Sequence, residues 1–243
     1  MASVSSSASA GGSHLGANKP LPGTDWLLLA SVAGIAVAII RILMFTPVEI
    51  RQGLAQKIFY VHVPAATISL YIAVIPMSIS SVMYLWLKDD RLDRIAESFA
   101  EVALMFLSIV LVTGPFWGKT IWGTWWQWEA RLTSTLFLWF VLVGYLVLRG
   151  AIDQPEARAR LSAVIGSMAG LLVPFIHLTV YLFNTLHPMP VVLKPDAPSL
   201  PPDMLKTLLM SFLAFSFFYV ALLRNRFRWA TAHDAQMQLE DLR

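Results

Sequence analysis

The sequence predicts an all-α integral membrane protein, a bundle of six transmembrane helices with a tryptophan-rich loop on its outward side. Three observations predict it. The 243 residues are 57% hydrophobic and only 14% charged, with a mean hydropathy of +0.64. A soluble domain usually carries about a quarter charged residues. The apolar residues come in runs of roughly 20, the length that crosses ~30 Å of hydrocarbon. The lysines and arginines gather in alternate loops, as they do when one side of a bilayer retains positive charge.

Span 1 is expected over Trp26 to Phe45 and span 2 over Phe59 to Leu87, with Pro64 near its start and Pro76 inside. Span 3 covers Val102 to Phe116, span 4 Leu132 to Leu148, span 5 Leu161 to Phe183 with Pro174 inside, and span 6 Leu205 to Leu223. Prolines within spans mark kinks that a membrane bundle tolerates. These spans form one membrane domain, residues 23–226. Residues 1–22, rich in Ser, Ala and Gly, read as a disordered tail without the pattern of a cleaved signal peptide. Residues 227–243 read as a C-terminal tail.

Counting Lys and Arg by side gives 11 on the side of both termini and five on the other, with Arg41 and Lys206 at span ends left out. The richer side is expected to be cytoplasmic. Both termini then lie inside, and the loops after spans 1, 3 and 5 face outward.

Several chemistries are excluded. The absence of cysteine removes disulfides and thiolate ligands. No P-loop or Gly-rich nucleotide motif is present, so energy from ATP would require another subunit. The net charge of +3 is small and lies in short loops, which argues against a nucleic-acid surface. Asp89, Asp90 and Asp93, mixed with Lys88, Arg91 and Arg94, read as a solvated face.

The candidate chemistry lies outward. Five of the nine tryptophans fall in the loop after span 3: Trp117, Trp122, Trp125, Trp126 and Trp128. An interfacial aromatic belt accounts for them. So does a ligand platform: in a helix, Trp117, Ile121, Trp125, Trp128 and Leu132 form one stripe. Lys119, Glu129 and Arg131 edge it, which suits a flat apolar ligand with anionic groups. Composition alone leaves belt and platform level.

Two histidines fall beside this loop. His62 lies in Phe59-Tyr-Val-His-Val-Pro64, at the outer mouth of span 2. His187 lies in Asn184-Thr-Leu-His-Pro188, past the outer end of span 5. Either alone reads as a polar residue reaching water. Together they suit two sides of a metal, and haem iron accepts that axial arrangement. His177, inside span 5, is a functional candidate or a packing residue between helices. Met189 is a weaker soft ligand. The proline-rich loop after span 5 reads equally as a linker or as a stiff lid.

The segment Trp122-Gly-Thr-Trp-Trp-Gln-Trp-Glu-Ala-Arg-Leu-Thr-Ser134 resembles the tryptophan-rich "WWD" signature of haem-handling proteins in cytochrome c biogenesis. With Tyr-Val-His-Val-Pro before it and Asn-Thr-Leu-His after it, the chain resembles the CcmC family over nearly its whole length. The resemblance implies a six-span protein of the bacterial inner membrane that presents haem at the periplasmic face. It implies non-covalent, transient haem b, with His62 and His187 as axial ligands and the segment from Trp117 to Arg131 as the platform. Delivery would be to the haem chaperone CcmE, beside the transporter subunits CcmA, CcmB and CcmD. The chain would bind and transport haem and would not be an enzyme, with any part in covalent attachment left open. The family usually has Asp where this chain has Glu129, one methylene longer. Lys57, five residues before His62 where the family tends to have a basic residue, joins Arg131 as an expected propionate partner. The rivals are a b-type haem oxidoreductase with deep paired histidines, a structural transporter subunit without cofactor, and a substrate channel.

Overall fold

The computed structural model describes residues 25–187 and 200–241. The N-terminal tail expected over 1–22, Met189 and most of the proline-rich loop lie outside those residues. The described chain is helical throughout its spans and has no strand, only a two-residue bridge between Glu49 and Gly53. Six helices are long and apolar enough to cross a membrane.

α1, Trp26–Ile40, runs on through a π turn, Arg41–Phe45. The second span, Leu54–Leu87, is assembled from a 3₁₀ turn, then α2, Phe59–Thr67, a π segment, Ile68–Val74, and α3, Ile75–Leu87. α4 is Asp90–Trp122, α5 Ala130–Ala151, α6 Pro155–Leu182 and α7 Pro202–Asp241. α7 continues unbroken past 226, where the sequence suggested a separate tail.

The helix ends follow local chemistry. The Asp25 carboxylate caps α1 by accepting from Leu28 N at 3.1 Å, and that bond holds its carboxyl below the usual carboxylate range. Asp89 caps α4, whose first turn adds Asp90 and Asp93 at the positive end of the helix dipole. At 33 residues α4 is about 50 Å long, well beyond the ~30 Å hydrocarbon core. It therefore carries a charged turn out at one end and tryptophans out at the other. Gly123, at φ +74°, stops it in a left-handed conformation that other residues rarely adopt.

The proline in span 2 has a traceable consequence. Pro76 has no N–H to offer the Ile72 carbonyl one turn earlier. The chain widens into the π segment there, and the Tyr219 hydroxyl of α7 donates to that carbonyl at 2.9 Å. A neighbouring helix thus supplies the bond that lipid cannot.

The main core gathers Ile68, Val74, Met77, Phe106, Leu138, Tyr145 and Phe215 from five helices. Between α3 and α6 the backbones approach closely. A Cβ at Gly166 would fall 2.3 Å from the Ser81 hydroxyl, and one at Gly170 would fall 2.2 Å from that of Ser78. Ser78 donates to the Ser167 carbonyl at 3.1 Å. Small residues four apart allow this contact, which matters because lipid is as apolar as the side chains and gives helices no hydrophobic reason to meet. Gly170→Ala is expected to cost about 1–3 kcal/mol, read as a lower melting temperature in detergent. Ser78→Gly should restore much of it; no change on Gly170→Ala would refute the contact.

The end of the bundle away from the tryptophans carries buried charge. Asp93, Glu97 and Glu101 repeat every four residues along α4. Arg149 of α5 donates to both oxygens of Asp93, at 2.6 and 2.8 Å, and to Glu97 at 3.0 Å. Arg226 of α7 pairs with Glu101, and Arg224 lies 3.9 Å from Asp25. Asp93 is therefore not part of a solvated face: it and Arg149 are both buried. Asp89, bonded to its own neighbour Arg91, does remain at the surface.

Candidate functional site

A cavity of about 200 Å³ opens among α2, α4, the loop after α4, and the chain after α6. His62 and His187 both line it, as do Trp117, Trp122, Trp126 and Arg131. The remaining wall is largely apolar, with Ala66, Leu107, Val110 and Ile176, as ligand pockets usually are.

Each of these side chains is placed by its neighbours. His62 is buried on α2, with Nδ1 2.9 Å from the Thr113 hydroxyl of α4 and its ring edge-on to Trp117, centroids 5.7 Å apart. Trp117 donates its indole N–H to Gln52 Oε1 at 3.0 Å and packs against Phe59. Gly118 leaves room for the Trp122 ring, one turn on in α4: a Cβ there would lie 3.1 Å from it. Gly114 abuts His62, where a Cβ would lie 3.4 Å from Cε1. Gly114 and Gly118 thus give α4 a flat face toward the cavity.

The helical stripe expected of the tryptophan segment does not form. α4 ends at Gly123, and residues 124–129 are non-helical until α5 begins at Ala130. Trp126, not Trp125 or Trp128, turns to the cavity. Trp125 packs edge-on against Phe116 and is 53% exposed; Trp128 rests against Trp126 and is 78% exposed. Trp117, Trp122 and Trp126 thus line the cavity, and Trp125 and Trp128 do not.

Three charged residues expected at the site are used elsewhere. Lys57 donates to the Leu43 carbonyl at 2.6 Å, closing the loop between spans 1 and 2. Lys119 donates to the Gly123 carbonyl at 3.0 Å, capping the end of α4 and approaching the Trp125 ring. Glu129 Oε2 accepts from Leu186 N at 2.6 Å, which fastens the tryptophan loop to the segment that bears His187. If the cavity takes haem, as the resemblance implies, Lys57→Ala should change its retention by no more than about twofold in a binding titration, whereas Arg131→Ala should weaken it by about tenfold or more. The reverse order would restore Lys57 as the propionate partner.

Arg131 is the cation left at the cavity. Glu129 reaches it electrostatically, but among the described residues no carboxylate forms an ion pair with it. The buried indole N–H of Trp126 likewise has no partner among the described residues. His177 does not line the cavity; its Nδ1 lies 2.7 Å from the Tyr71 hydroxyl, the arrangement of a packing residue. Sequence reasoning missed Gln52, Thr113, Gly114 and Gly118. The Gly114 and Gly118 spacing was the one signal that could have found the cavity's flat wall.

This combination defines a class: a multi-pass helical membrane protein with two imidazoles, three indoles and one arginine, without an ion pair among the described residues, around an apolar pocket at one end of its bundle. Comparison with known families and proteins makes it specific. Residues 18–240 match the family model CcmC, "Heme exporter protein C". The chain is 34% identical over 218 residues to Heme exporter protein C of Bradyrhizobium diazoefficiens, covering 90% of this chain and 78% of that one. It is 35% identical over 196 residues to that of Haemophilus influenzae, covering 80% and 78%, and 37% identical over 162 residues to that of Escherichia coli K12, covering 67% and 66%. The chain belongs to the CcmC family.

Proposed function

We propose that this protein binds haem b non-covalently and transiently in the cavity at the tryptophan end of the bundle, and hands it to the chaperone CcmE for cytochrome c maturation. Its family is one of haem handling in cytochrome c biogenesis. The observation that carries the reading is the convergence of His62, on a helix, and His187, on a loop far away in sequence, on one indole-walled cavity.

The pocket suits that cargo. Haem brings an iron with two axial positions, a flat apolar ring and two carboxylates. His62 and His187 offer the axial nitrogens. Trp117, Trp122 and Trp126 offer ring faces and edges. Arg131 offers a charge-assisted donor to a propionate. Gly114 and Gly118 remove the side chains that would hold a planar group off α4. Release to a second protein requires one axial bond to open. His187 is suited to that step, since it sits on a loop whereas His62 is fixed within a helix.

In this reading the protein lies in the bacterial inner membrane with both termini cytoplasmic and the haem site periplasmic, as the charge asymmetry of its loops suggests. It works beside CcmA, CcmB and CcmD, and any hydrolysis of ATP belongs to them. It carries and presents haem.

The test is the purified chain in detergent, titrated with haem and then mixed with the soluble domain of CcmE. A Soret band on titration, followed by movement of haem to CcmE, is the expected result. Absence of a band even with haem in excess would overturn the reading in favour of a structural subunit.

A further inference from the structure

The iron-binding nitrogen of His62 can be read from the hydrogen bonds around it. A neutral imidazole carries one N–H and one lone pair, and only the lone pair ligates. His62 Nδ1 lies 2.9 Å from Thr113 Oγ1. That hydroxyl has a single proton. It also lies 2.7 Å from the Ile109 carbonyl one turn earlier on α4, and 3.4 Å from that of Val110. A carbonyl only accepts, so the threonine proton is committed to Ile109. Thr113 must then accept from His62, which puts the imidazole proton on Nδ1 and leaves the lone pair on Nε2.

The ring is also held in orientation. Gly114 abuts Cε1 and Trp117 meets the ring edge-on. All three neighbours, Thr113, Gly114 and Trp117, come from the same stretch of α4. Pro115 lies among them and offers no N–H to the Leu111 carbonyl, so the helix is locally loosened at the point where it grips the histidine.

We infer that Thr113 is a positioning residue for the haem site: it fixes His62 in the tautomer that presents Nε2 and holds the ring in its ligating plane. This rests on the haem-binding reading above and extends it to a residue that does not touch the cargo. An acceptor on the far side of a ligating imidazole also makes the ring a stronger electron donor, which favours ferric over ferrous iron.

The experiment compares the full chain with its Thr113→Val, Thr113→Ser and His62→Ala variants, in detergent, by haem titration and by spectroelectrochemical reduction. Thr113→Val keeps the branched shape and removes the acceptor. It should weaken haem binding by ~10–100-fold and move the reduction potential in the positive direction. Thr113→Ser should restore both toward the parent. In a His62→Ala background, Thr113→Val should add nothing further, since its effect passes through that ring. Parent-like affinity and potential in Thr113→Val would overturn the inference, as would an equal loss in the Ser variant. Should Thr113→Val fail to fold, as judged by a lost monodisperse peak, the Ser variant and Thr113→Ala carry the same comparison. A parent that binds no haem overturns the haem reading itself, which is a different outcome from a parent that binds haem with no dependence on Thr113.

Discussion

His62→Ala and His187→Ala should each lower haem retention by on the order of 100-fold or more, and each should shift or abolish the Soret band. Losing an axial ligand is expected to cost at least as much as losing a residue that only supports one, and the latter already reaches ~100-fold. The two variants should differ in kind. His62 is buried and braced by α4, so its loss leaves a hole beside Gly114 that solvent or an added imidazole can enter. His187 lies on a loop tethered by Glu129, so its loss frees that loop as well. External imidazole should therefore rescue His62→Ala better than His187→Ala. His177→Ala should leave the band intact, because that ring sits outside the cavity and bonds to Tyr71. A band that survives both outer variants and vanishes with His177→Ala would move the iron into the bundle and favour an electron-transfer protein.

Arg149→Met should unfold the protein more readily than any substitution at the cavity that His62 and His187 line. Arg149 answers two carboxylates, Asp93 and Glu97, in a part of the structure where Asp93 is almost wholly buried. Removing the cation leaves Asp93 buried without its partner, beside the half-buried Glu97 that repels it. Breaking one side of a buried ion pair typically costs about 3–5 kcal/mol. In a chain of this size that corresponds to a melting temperature lower by about 10 °C. Converting the partners as well, with Asp93→Asn and Glu97→Gln in the same chain, should recover most of the loss, because the uncompensated charge and not the missing contact carries the penalty. Haem affinity of the surviving folded fraction should stay close to the parent, since this network lies at the opposite end of α4 from His62. A melting curve unchanged by Arg149→Met would mean that the network is solvated and adds little.

The tryptophan loop shows how far pattern reading reaches. A helical stripe through Trp117, Trp125 and Trp128 was a sound expectation from spacing, but one glycine defeats it. Gly123 adopts a left-handed conformation, the helix stops, and the register of every following side chain changes. Periodicity carries no information across such a break, so Trp126 in place of Trp125 at the cavity could not be read from spacing. The backbone contacts of Lys57, Lys119 and Glu129 were hidden for a related reason. Their types fit a propionate site, but each meets a nearer backbone partner that the one-dimensional sequence does not reveal. Asp93 reads as one of a mixed run of surface charges until the distant Arg149 is seen to cover it.

The sequence by itself determined the class of protein and the cast of its site. Six apolar runs of membrane-spanning length leave the backbone no alternative to helix, because unsatisfied peptide groups are too costly in hydrocarbon. The histidines and the tryptophan signature are local features and survive any packing. The tertiary structure alone decided which of those residues meet. It brought His62 and His187 to one cavity, set Thr113 behind the first, gave the Ile72 carbonyl that Pro76 leaves orphaned to Tyr219, and sorted the indoles into wall and rim. The first three rest on contacts between residues tens to more than a hundred positions apart, formed by helix packing and loop tethers. Such contacts have no period in the sequence, and only the folded chain makes them.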